Sequence, residues 1–315
     1  MIQLRNVTKK YDKQEALRGI DLNINEGECI VLIGPSGCGK SSLLKSINRM
    51  IDIDSGEIRV FNQSIESYKV EELRRKIGYC IQGVGLFPHL SVKENIAIVL
   101  RVLKWKEEDI DQRVNELLSM TELPLSYINK RPHELSGGEA QRVGVCRALA
   151  TNPSILLMDE PFGALDPLTR EKVQLAFKEI QKKLHKTVVF VTHDVEEAIL
   201  LADRIALMQE GKILHLDTPN KFMNLDKNEY GSDFLGKDYS LRLLKRFTLA
   251  DLNLKEVRSF NSLVNLSLGS SVKDGLSYCL NAEQSIYFND NNHIYELSYN
   301  DIYNFMQRIN HEKNT

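Results

Sequence analysis

The sequence predicts an α/β fold built around a parallel β-sheet, and three apolar segments support this prediction. Residues 29–33, 155–158 and 187–191 are almost continuously apolar, which is typical of strands that are buried on both faces. Each of them is followed by a segment whose apolar residues recur at helical spacing. Strands that alternate with helices in this way indicate βαβ units, in which neighbouring strands run parallel.

The other elements of the first 200 residues are predicted from periodicity and from capping residues. Residues 2–4 and 20–24 alternate between apolar and polar side chains, as half-buried strands do. Ser91 with Glu94 three residues later predicts a capping box at a helix start, and Asp166 before a proline predicts another helix start. The predicted helices span residues 41–50, 91–105, 107–120, 167–185 and 195–202.

Length and composition exclude several classes of protein. The chain has 315 residues and a mass of 36.0 kDa, which favours two domains. Its 41 basic and 43 acidic residues give a formal net charge of −2, so no general attraction to nucleic acid is expected. No apolar run approaches the roughly 20 residues of a membrane-spanning helix, and no secretory signal follows Met1. The five cysteines are scattered and odd in number, which indicates reduced thiols. We therefore expect a soluble intracellular protein.

A change in composition divides the chain. Residues 226–238 are polar and contain glycine, so they predict a linker between a first domain at 1–235 and a small α+β appendage at 240–315. The appendage is predicted to follow the order β-α-β-β-α, in the segments 264–268, 272–280, 286–288, 293–297 and 300–309.

The loop after residues 29–33 has the pattern G-x-x-x-x-G-K-[ST], which predicts phosphate binding. Its glycines let backbone N–H groups close around phosphate oxygens, and the next helix adds the partial positive charge of its N-terminus. Lys40 is placed to hold the β- and γ-phosphates of a nucleotide, and Ser41 to offer a hydroxyl to Mg²⁺. The predicted nucleotide-binding residues of this loop are Gly34, Pro35, Ser36, Gly37, Cys38, Gly39, Lys40, Ser41 and Ser42.

Two acidic residues follow the apolar strand at 155–158. Asp159 and Glu160 are therefore expected at the carboxyl edge of the sheet, where open α/β folds bind their ligands. We expect Asp159 to hold Mg²⁺, directly or through water, and Glu160 to polarise an attacking water. The alternative is that both acids only cap the next turn. The phosphate loop in the same chain favours a role at a nucleotide site over this alternative.

A further motif indicates the class of protein. Residues 135–142, with the sequence LSGGEAQR, resemble the signature sequence of ABC transporter ATPases. The matches to that family's other motifs are Tyr11 before the phosphate loop, Gln82 after the strand at 77–81, the segment 163–166 and the segment 192–194. The resemblance covers roughly residues 1–235. It implies an ABC ATPase core of the P-loop NTPase class, with a parallel sheet, an antiparallel β subdomain and a helical subdomain.

The resemblance also implies that two copies dimerise head to tail and enclose ATP and Mg²⁺ in two shared sites. The phosphate loop of one copy then faces Ser136 and Gly138 of the other, at a helix start with free N–H groups. By the same resemblance, His193 contacts the γ-phosphate and helps to position the water, Gln82 senses Mg²⁺ or the water, and Asp166 makes contacts across the dimer. Tyr11 takes the position of the family's adenine-stacking aromatic.

Two positions depart from the family's usual residues. Glu139 stands where the family more often has Gln, which puts a carboxylate near a phosphate site; we expect it to tune nucleotide affinity without abolishing activity. Cys38 is expected to act as a small residue that contributes its backbone N–H and carries an inert thiol. The alternative is a reactive thiol that bound ATP protects.

Segments 47–50, 77–82, 85–90 and 166–170 resemble those of bacterial osmoprotectant importers, which take up quaternary amines such as glycine betaine, choline and carnitine. This implies an ATP-hydrolysing subunit that is peripheral to the cytoplasmic face of the inner membrane. Its partners are membrane permease subunits, contacted near residues 84–91, and a substrate-binding protein or domain, with no nucleic acid involved.

Alternative functions remain open at this point. They are an importer of amino acids or other small solutes, and a soluble ABC ATPase outside transport, which the single cassette disfavours. A P-loop kinase would not explain residues 135–142. The appendage resembles one degenerate CBS unit, which either pairs with its copy and senses a ligand or only contributes to dimerisation.

Overall fold

The computed structural model describes residues 1–12, 14–83, 85–222, 244–245, 247–257, 263–282, 285–291 and 293–311. The chain divides into two compact units, Met1–Thr218 and Pro219–Thr315. The predicted linker at 226–238 lies outside the described residues, so the domain boundaries at 235 and 240 remain predictions.

Strands and helices alternate through the first unit. Its described strands are β1 (Ile2–Tyr11), β2 (Gln14–Ile24), β3 (Cys29–Ile33), β4 (Ser55–Val60), β5 (Gln63–Ser64), β6 (Ile77–Cys80), β7 (Ile155–Asp159), β8 (Thr187–Val191), β9 (Arg204–Gln209) and β10 (Lys212–Asp217). Its described helices are α1 (Lys40–Ile47), α2 (Val70–Lys76), α3 (Val92–Val102), α4 (Glu107–Met120), α5 (Gly137–Leu149), α6 (Pro167–Lys183) and α7 (Val195–Leu201).

The main sheet of the first unit has the strand order β10-β9-β3-β8-β7-β6 among the described residues. All neighbouring pairs from β9 to β6 are parallel, and β10 pairs antiparallel at one edge. Every residue of β3, β7 and β8 is buried, because helices cover both faces of a parallel sheet. The predicted parallel α/β core is therefore confirmed.

A second sheet, with the order β2-β1-β4-β5, is antiparallel. One hydrophobic cluster joins it to the main sheet through α1, since Ile2, Leu43 and Leu157 all belong to that cluster and are fully buried. Helix α1 is consequently held between two sheets, which gives the preceding loop a rigid base.

Helix starts follow the predicted caps. Ser91 closes a capping box with Glu94 at the start of α3, and the Asp166 carboxylate accepts a hydrogen bond from the backbone N–H of Thr169 at the start of α6. Helix α4 has the predicted bounds. The predicted ends at residues 50 and 105 are too late, because α1 ends at Ile47 and α3 at Val102.

The second unit contains α8 (Pro219–Phe222), β11 (Lys255–Val257), α9 (Val272–Asn281), β12 (Ile286–Asp290), β13 (His293–Leu297) and α10 (Tyr299–His311) among its described residues. Its antiparallel sheet has the order β11-β13-β12. The predicted strand at 264–268 is wrong: Val264 makes only an isolated bridge to Phe288, and Lys255–Val257 supplies the third strand. The described portion holds no helix long and apolar enough to cross a membrane.

Candidate active site

The phosphate loop connects β3 to α1. Gly39 caps the helix with a left-handed backbone at φ 108°, and a Cβ atom there would lie 2.3 Å from the carbonyl oxygen of Ala16. Only glycine fits this position without displacing backbone. No side chain caps α1 within this described stretch, so the first N–H groups of the helix face the loop. The loop therefore presents the donors that an anion requires.

Lys40 is 7% exposed and folded over the loop. Its Nζ atom donates to the carbonyl oxygens of Gly34, at 2.8 Å, and Pro35, at 2.9 Å. The Cys38 thiol is buried with its Sγ atom 3.6 Å from the same ammonium, and the Cys38 N–H donates to Pro35 O. The loop thus surrounds one positive charge, as a phosphate site needs.

The two acids at the end of the second buried strand, β7, have different environments. Asp159, the last residue of β7, is 3% exposed and accepts a hydrogen bond from the Ser41 hydroxyl, with 3.1 Å between the oxygens. Burial raises the pKa of its carboxyl above the ordinary value. Glu160 leaves the strand in a left-handed backbone conformation with φ 48°. That turn directs the Glu160 side chain toward the loops that follow the neighbouring strands β6 and β8.

Glu160 lies between Gln82 and His193. The Gln82 Nε2 atom donates to Glu160 Oε2 at 3.2 Å, and His193 Nδ1 lies 3.6 Å from Glu160 Oε1. The His193 side chain is 70% exposed, so the group opens to solvent. The parallel topology explains this meeting, because β6, β7 and β8 all deliver their carboxyl ends to one edge.

Most of the predicted residues line one cavity of about 630 Å³. Its lining residues are Tyr11, Gln14, Ala16, Ser36, Gly37, Gly39, Lys40, Ser41, Ser42, Gln82, Glu160 and His193. Gly34, Pro35 and Cys38 form the loop behind it, and Asp159 reaches it through Ser41. Gln14 and Ala16, at the start of β2, were not predicted from sequence.

The oxygen donors at this edge suit Mg²⁺. Magnesium keeps several waters and is bound through one or two protein oxygens together with substrate phosphates. Ser41 and Asp159 supply a hydroxyl and a carboxylate side by side. A hydroxyl and a carboxylate of this kind fit a site that substrate phosphates complete. Within the described residues no cluster of three or more His, Cys, Asp or Glu side chains forms a metal cage.

The signature segment forms the start of α5 and does not line the cavity. Ser136 caps the helix, and its Oγ atom accepts from the Glu139 N–H while the Glu139 carboxylate accepts from the Ser136 N–H at 2.7 Å. Tyr127 donates its hydroxyl to the same carboxylate at 3.0 Å. Partial burial acts to raise the pKa of Glu139, but these hydrogen bonds outweigh it and hold the pKa below its ordinary value.

The Glu139 carboxylate is therefore engaged in capping α5. The capping box engages the N–H groups of Ser136 and Glu139, so those of Gly137 and Gly138 are the ones left for a ligand. Like Ser136 and Gly138, Asp166 stays outside the cavity, where it caps α6. The expected tuning of affinity by Glu139 remains a prediction.

A buried acid beside the site was not predicted from sequence. Glu197 on α7 is 5% exposed and accepts a hydrogen bond from Gln174 Nε2 at 2.9 Å. Burial raises its pKa to about 7, although the side chains of Thr192 and Gln174 act to lower it. Asp194 acts to raise the same pKa and Arg170 to lower it. The burial of Glu197 is visible only in the folded structure, because an acid in a short helix normally faces solvent.

Glu197→Gln is expected to flatten the pH dependence of stability. A carboxyl whose pKa is raised on folding stabilises the fold fully below its unfolded pKa of about 4.5, and this contribution is lost as the pH rises to about 7. The unfolding free energy of the variant, relative to the unsubstituted chain, should therefore increase between pH 4.5 and pH 8 by an amount of the order of 3 kcal/mol. Urea unfolding at several pH values measures it. The exposed Glu179→Gln serves as control, and parallel curves for Glu197→Gln and the unsubstituted chain would contradict the assignment.

Comparison with known proteins indicates the same class of protein as the signature sequence at residues 135–142, the ABC ATPases. The family model described as "ABC transporter" matches residues 17–163. The glycine betaine/carnitine/choline transport ATP-binding protein OpuCA of Bacillus subtilis (strain 168) is 49% identical over 239 residues, which are 76% of this chain and 63% of that protein. This chain therefore spans a little under two thirds of the length of that relative.

Two further comparisons cover more than four fifths of the matched protein. The glycine betaine uptake system ATP-binding protein YehX of Escherichia coli (strain K12) is 45% identical over 82% of this chain and 84% of its own length. The dimeric post-hydrolysis structure of the ATP-binding cassette MJ0796, bound to ADP and Pi, superposes with a TM-score of 0.66 at 38% identity, over 70% of this chain and 99% of that one. With these matches, and with the signature helix and phosphate loop in one α/β unit, the chain belongs to the ABC transporter family of ATP-binding proteins.

Proposed function

We propose that this chain is the ATP-hydrolysing subunit of a bacterial ABC importer for quaternary amines of the betaine type. The observation that carries the proposal is that the phosphate loop, Gln82, Glu160 and His193 meet in one and the same cavity. A nucleotide phosphate and an activated water need these groups in one place.

The phosphate loop binds the nucleotide in this proposal. Lys40 and the first N–H groups of α1 hold the phosphates, and Tyr11 at the end of β1 offers its 44% exposed ring to the base. Ser41 and Asp159 hold Mg²⁺, which when bound neutralises charge on the phosphate oxygens.

Glu160 accepts a proton from the attacking water as the water oxygen bonds to the γ-phosphorus and the bond to the bridging oxygen breaks. Gln82 fixes the Glu160 carboxylate through its 3.2 Å hydrogen bond, and the exposed His193 ring contacts the departing phosphate. Each of these side chains comes from a different parallel strand or the loop after it.

Two copies of the chain complete the sites in this proposal. The cavity of one copy lacks Ser136, Gly138 and Asp166, which open the helices α5 and α6 on the same chain. A head-to-tail partner would present its own signature helix to the γ-phosphate, where the free N–H groups and the helix dipole favour negative charge. The dimeric MJ0796 cassette supports this arrangement by similarity.

The segment before α3 is the proposed contact with the permease. Val84 lies outside the described residues, but Phe87 is 42% exposed and the buried Asn95 amide binds the backbone of Phe87, Leu90 and Ser91. A rigid loop with an exposed aromatic side chain is suited to a protein partner. The subunit would lie on the cytoplasmic face of the membrane, and a substrate-binding protein or domain would deliver the solute.

The solute itself is proposed from relatives. OpuCA and YehX, whose names include glycine betaine, are 49% and 45% identical to this chain, whereas spermidine/putrescine import proteins reach 38–40%. An importer of amino acids or of another small solute is the second candidate. The second unit, with its three described strands and two longer helices, is proposed to be an accessory CBS-like domain that strengthens the dimer.

Uptake of radiolabelled solutes by cells that depend on this chain tests the proposal. Glycine betaine, choline and carnitine uptake should require the chain and should be lost with Glu160→Gln, while the exposed Glu179→Gln leaves it intact. If only the uptake of amino acids or polyamines were lost with Glu160→Gln, the assignment to quaternary amines would be wrong. If this substitution changed the uptake of no solute, the proposed transport function would be wrong.

A further inference from the structure

A buried amide links the signature helix to the acid at the centre of the cavity. Gln141 on α5 is 3% exposed, and both polar atoms of its side chain are engaged. Its Nε2 atom donates to the backbone carbonyl of Glu160 at 2.9 Å, and its Oε1 atom accepts from the Ala164 N–H at 2.8 Å. One side chain therefore holds both ends of the turn that follows β7.

This turn contains a residue that needs support. Glu160 has a left-handed backbone at φ 48°, which costs a non-glycine residue about 1–2 kcal/mol and persists only where the surroundings hold it. Its N–H donates to Val191 O at 3.0 Å, and its carbonyl accepts from Gly163 N at 3.3 Å as well as from Gln141. The Gln141 side chain anchors this peptide to helix α5.

The N-terminal turn of α5 packs against the same segment. A Cβ atom on Gly138 would lie 2.9 Å from Leu165 Cδ2 and 3.6 Å from Ala164 O, so the two segments are in close contact here. The signature residues and the turn at 160–165 are thus joined by packing at one point and by the Gln141 amide at another.

We propose that Gln141 is a positioning residue for hydrolysis, which holds the peptide of Glu160 in the orientation that directs its carboxylate into the cavity. The inference rests on the proposed function. Gln141 does not line the cavity and would touch neither nucleotide nor water. In the proposed dimer, the Ser136 end of α5 faces the nucleotide held by the partner, whereas Glu160 acts on the nucleotide held by its own chain. Gln141 on α5 therefore connects the two nucleotide sites within one chain.

Gln141→Met tests this role, because methionine has a similar volume and makes neither hydrogen bond. In the 315-residue chain, we expect kcat for ATP hydrolysis to fall about tenfold or more, while KM for ATP changes less than about twofold. The matched control is Gln181→Met: Gln181 is 5% exposed and donates to the carbonyls of Gly27 and Lys186, far from the cavity lining. Its kcat should stay within about twofold of the unsubstituted chain.

A double-variant cycle separates positioning from general destabilisation. If Gln141 acts through Glu160, adding Gln141→Met to Glu160→Gln should cause no further loss of kcat. Multiplicative losses would overturn the inference, and so would equal kcat in the two methionine variants. Gln141→Asn, which keeps the amide but shortens its reach, replaces Gln141→Met if the latter does not fold, with the same expectations. Absence of hydrolysis by the unsubstituted chain would instead overturn the proposed function.

Discussion

Glu160→Gln is expected to slow ATP hydrolysis by about 10²–10⁴-fold while ATP binding remains close to that of the unsubstituted chain. The amide has nearly the shape of the carboxylate and can keep a hydrogen bond with Gln82, so the cavity should retain its form. What it loses is the ability to take a proton from the attacking water. Steady-state hydrolysis and equilibrium binding of a fluorescent ATP analogue measure the two effects separately.

The control for this variant is Glu179→Gln, at an exposed position on α6. It makes the same chemical change outside the cavity and should leave both measurements unaltered. A Glu160→Gln protein that still hydrolysed ATP at more than about a tenth of the normal rate would remove Glu160 from the proposed mechanism.

Lys40→Ala is expected to weaken ATP binding about 10- to 100-fold, because hydrogen bonds to charged groups contribute about 1.5–3 kcal/mol. The Lys40 ammonium lies inside the phosphate loop, where it donates to the backbone carbonyls of Gly34 and Pro35. Its removal takes away both the charge that attracts phosphate and two bonds that shape the loop. Isothermal titration with ATP and Mg²⁺ measures the loss.

Lys182→Ala provides the matched change in charge, at an exposed position in the last turn of α6. Its ATP affinity should be unchanged. If Lys40→Ala bound ATP as tightly as Lys182→Ala, the loop would not be the phosphate site.

The parts of the fold that could be predicted are those in which one local signal dominates. The buried strand β8 and the amphipathic helix α4 have the predicted bounds, because burial on both faces and strict helical spacing leave little choice. The meeting of Gln82, Glu160 and His193 could also be anticipated, since parallel strands bring their carboxyl ends to one edge.

Other parts depend on contacts between distant residues. The third strand of the second unit is Lys255–Val257, whose polar sequence has little intrinsic preference for a strand and forms one by pairing with β13. The more apolar segment at 264–268 lacks such a partner along its length and forms only one bridge. Sequence periodicity cannot distinguish these two outcomes.

The buried polar groups around the site were the least predictable. Gln141 and Glu197 both lie on helices near recognised motifs, but nothing in their local sequence shows that they are buried. Their roles follow from tertiary hydrogen bonds, to Glu160 and Ala164 in one case and to Gln174 in the other. The Glu139 cap shows the same dependence, since sequence placed that carboxylate near phosphate and the structure engages it with Ser136 and Tyr127.

The claim that two chains share each ATP site is tested most directly by mixing two defective variants. Lys40→Ala removes the phosphate cation, and Ser136→Asp keeps an efficient N-cap for α5 while it places negative charge where a partner's phosphate would lie. Ser136→Asn, which caps without charge, is the control and should remain active. Each defective homodimer should hydrolyse ATP slowly.

A mixed dimer of the two variants has one site in which both contributions are intact. After equimolar mixing and exchange of subunits, hydrolysis should rise well above the mean of the two parents, up to about a quarter of the normal rate, since half of the dimers are mixed and each has one good site. A mixture no more active than the average of its parents would contradict the shared site.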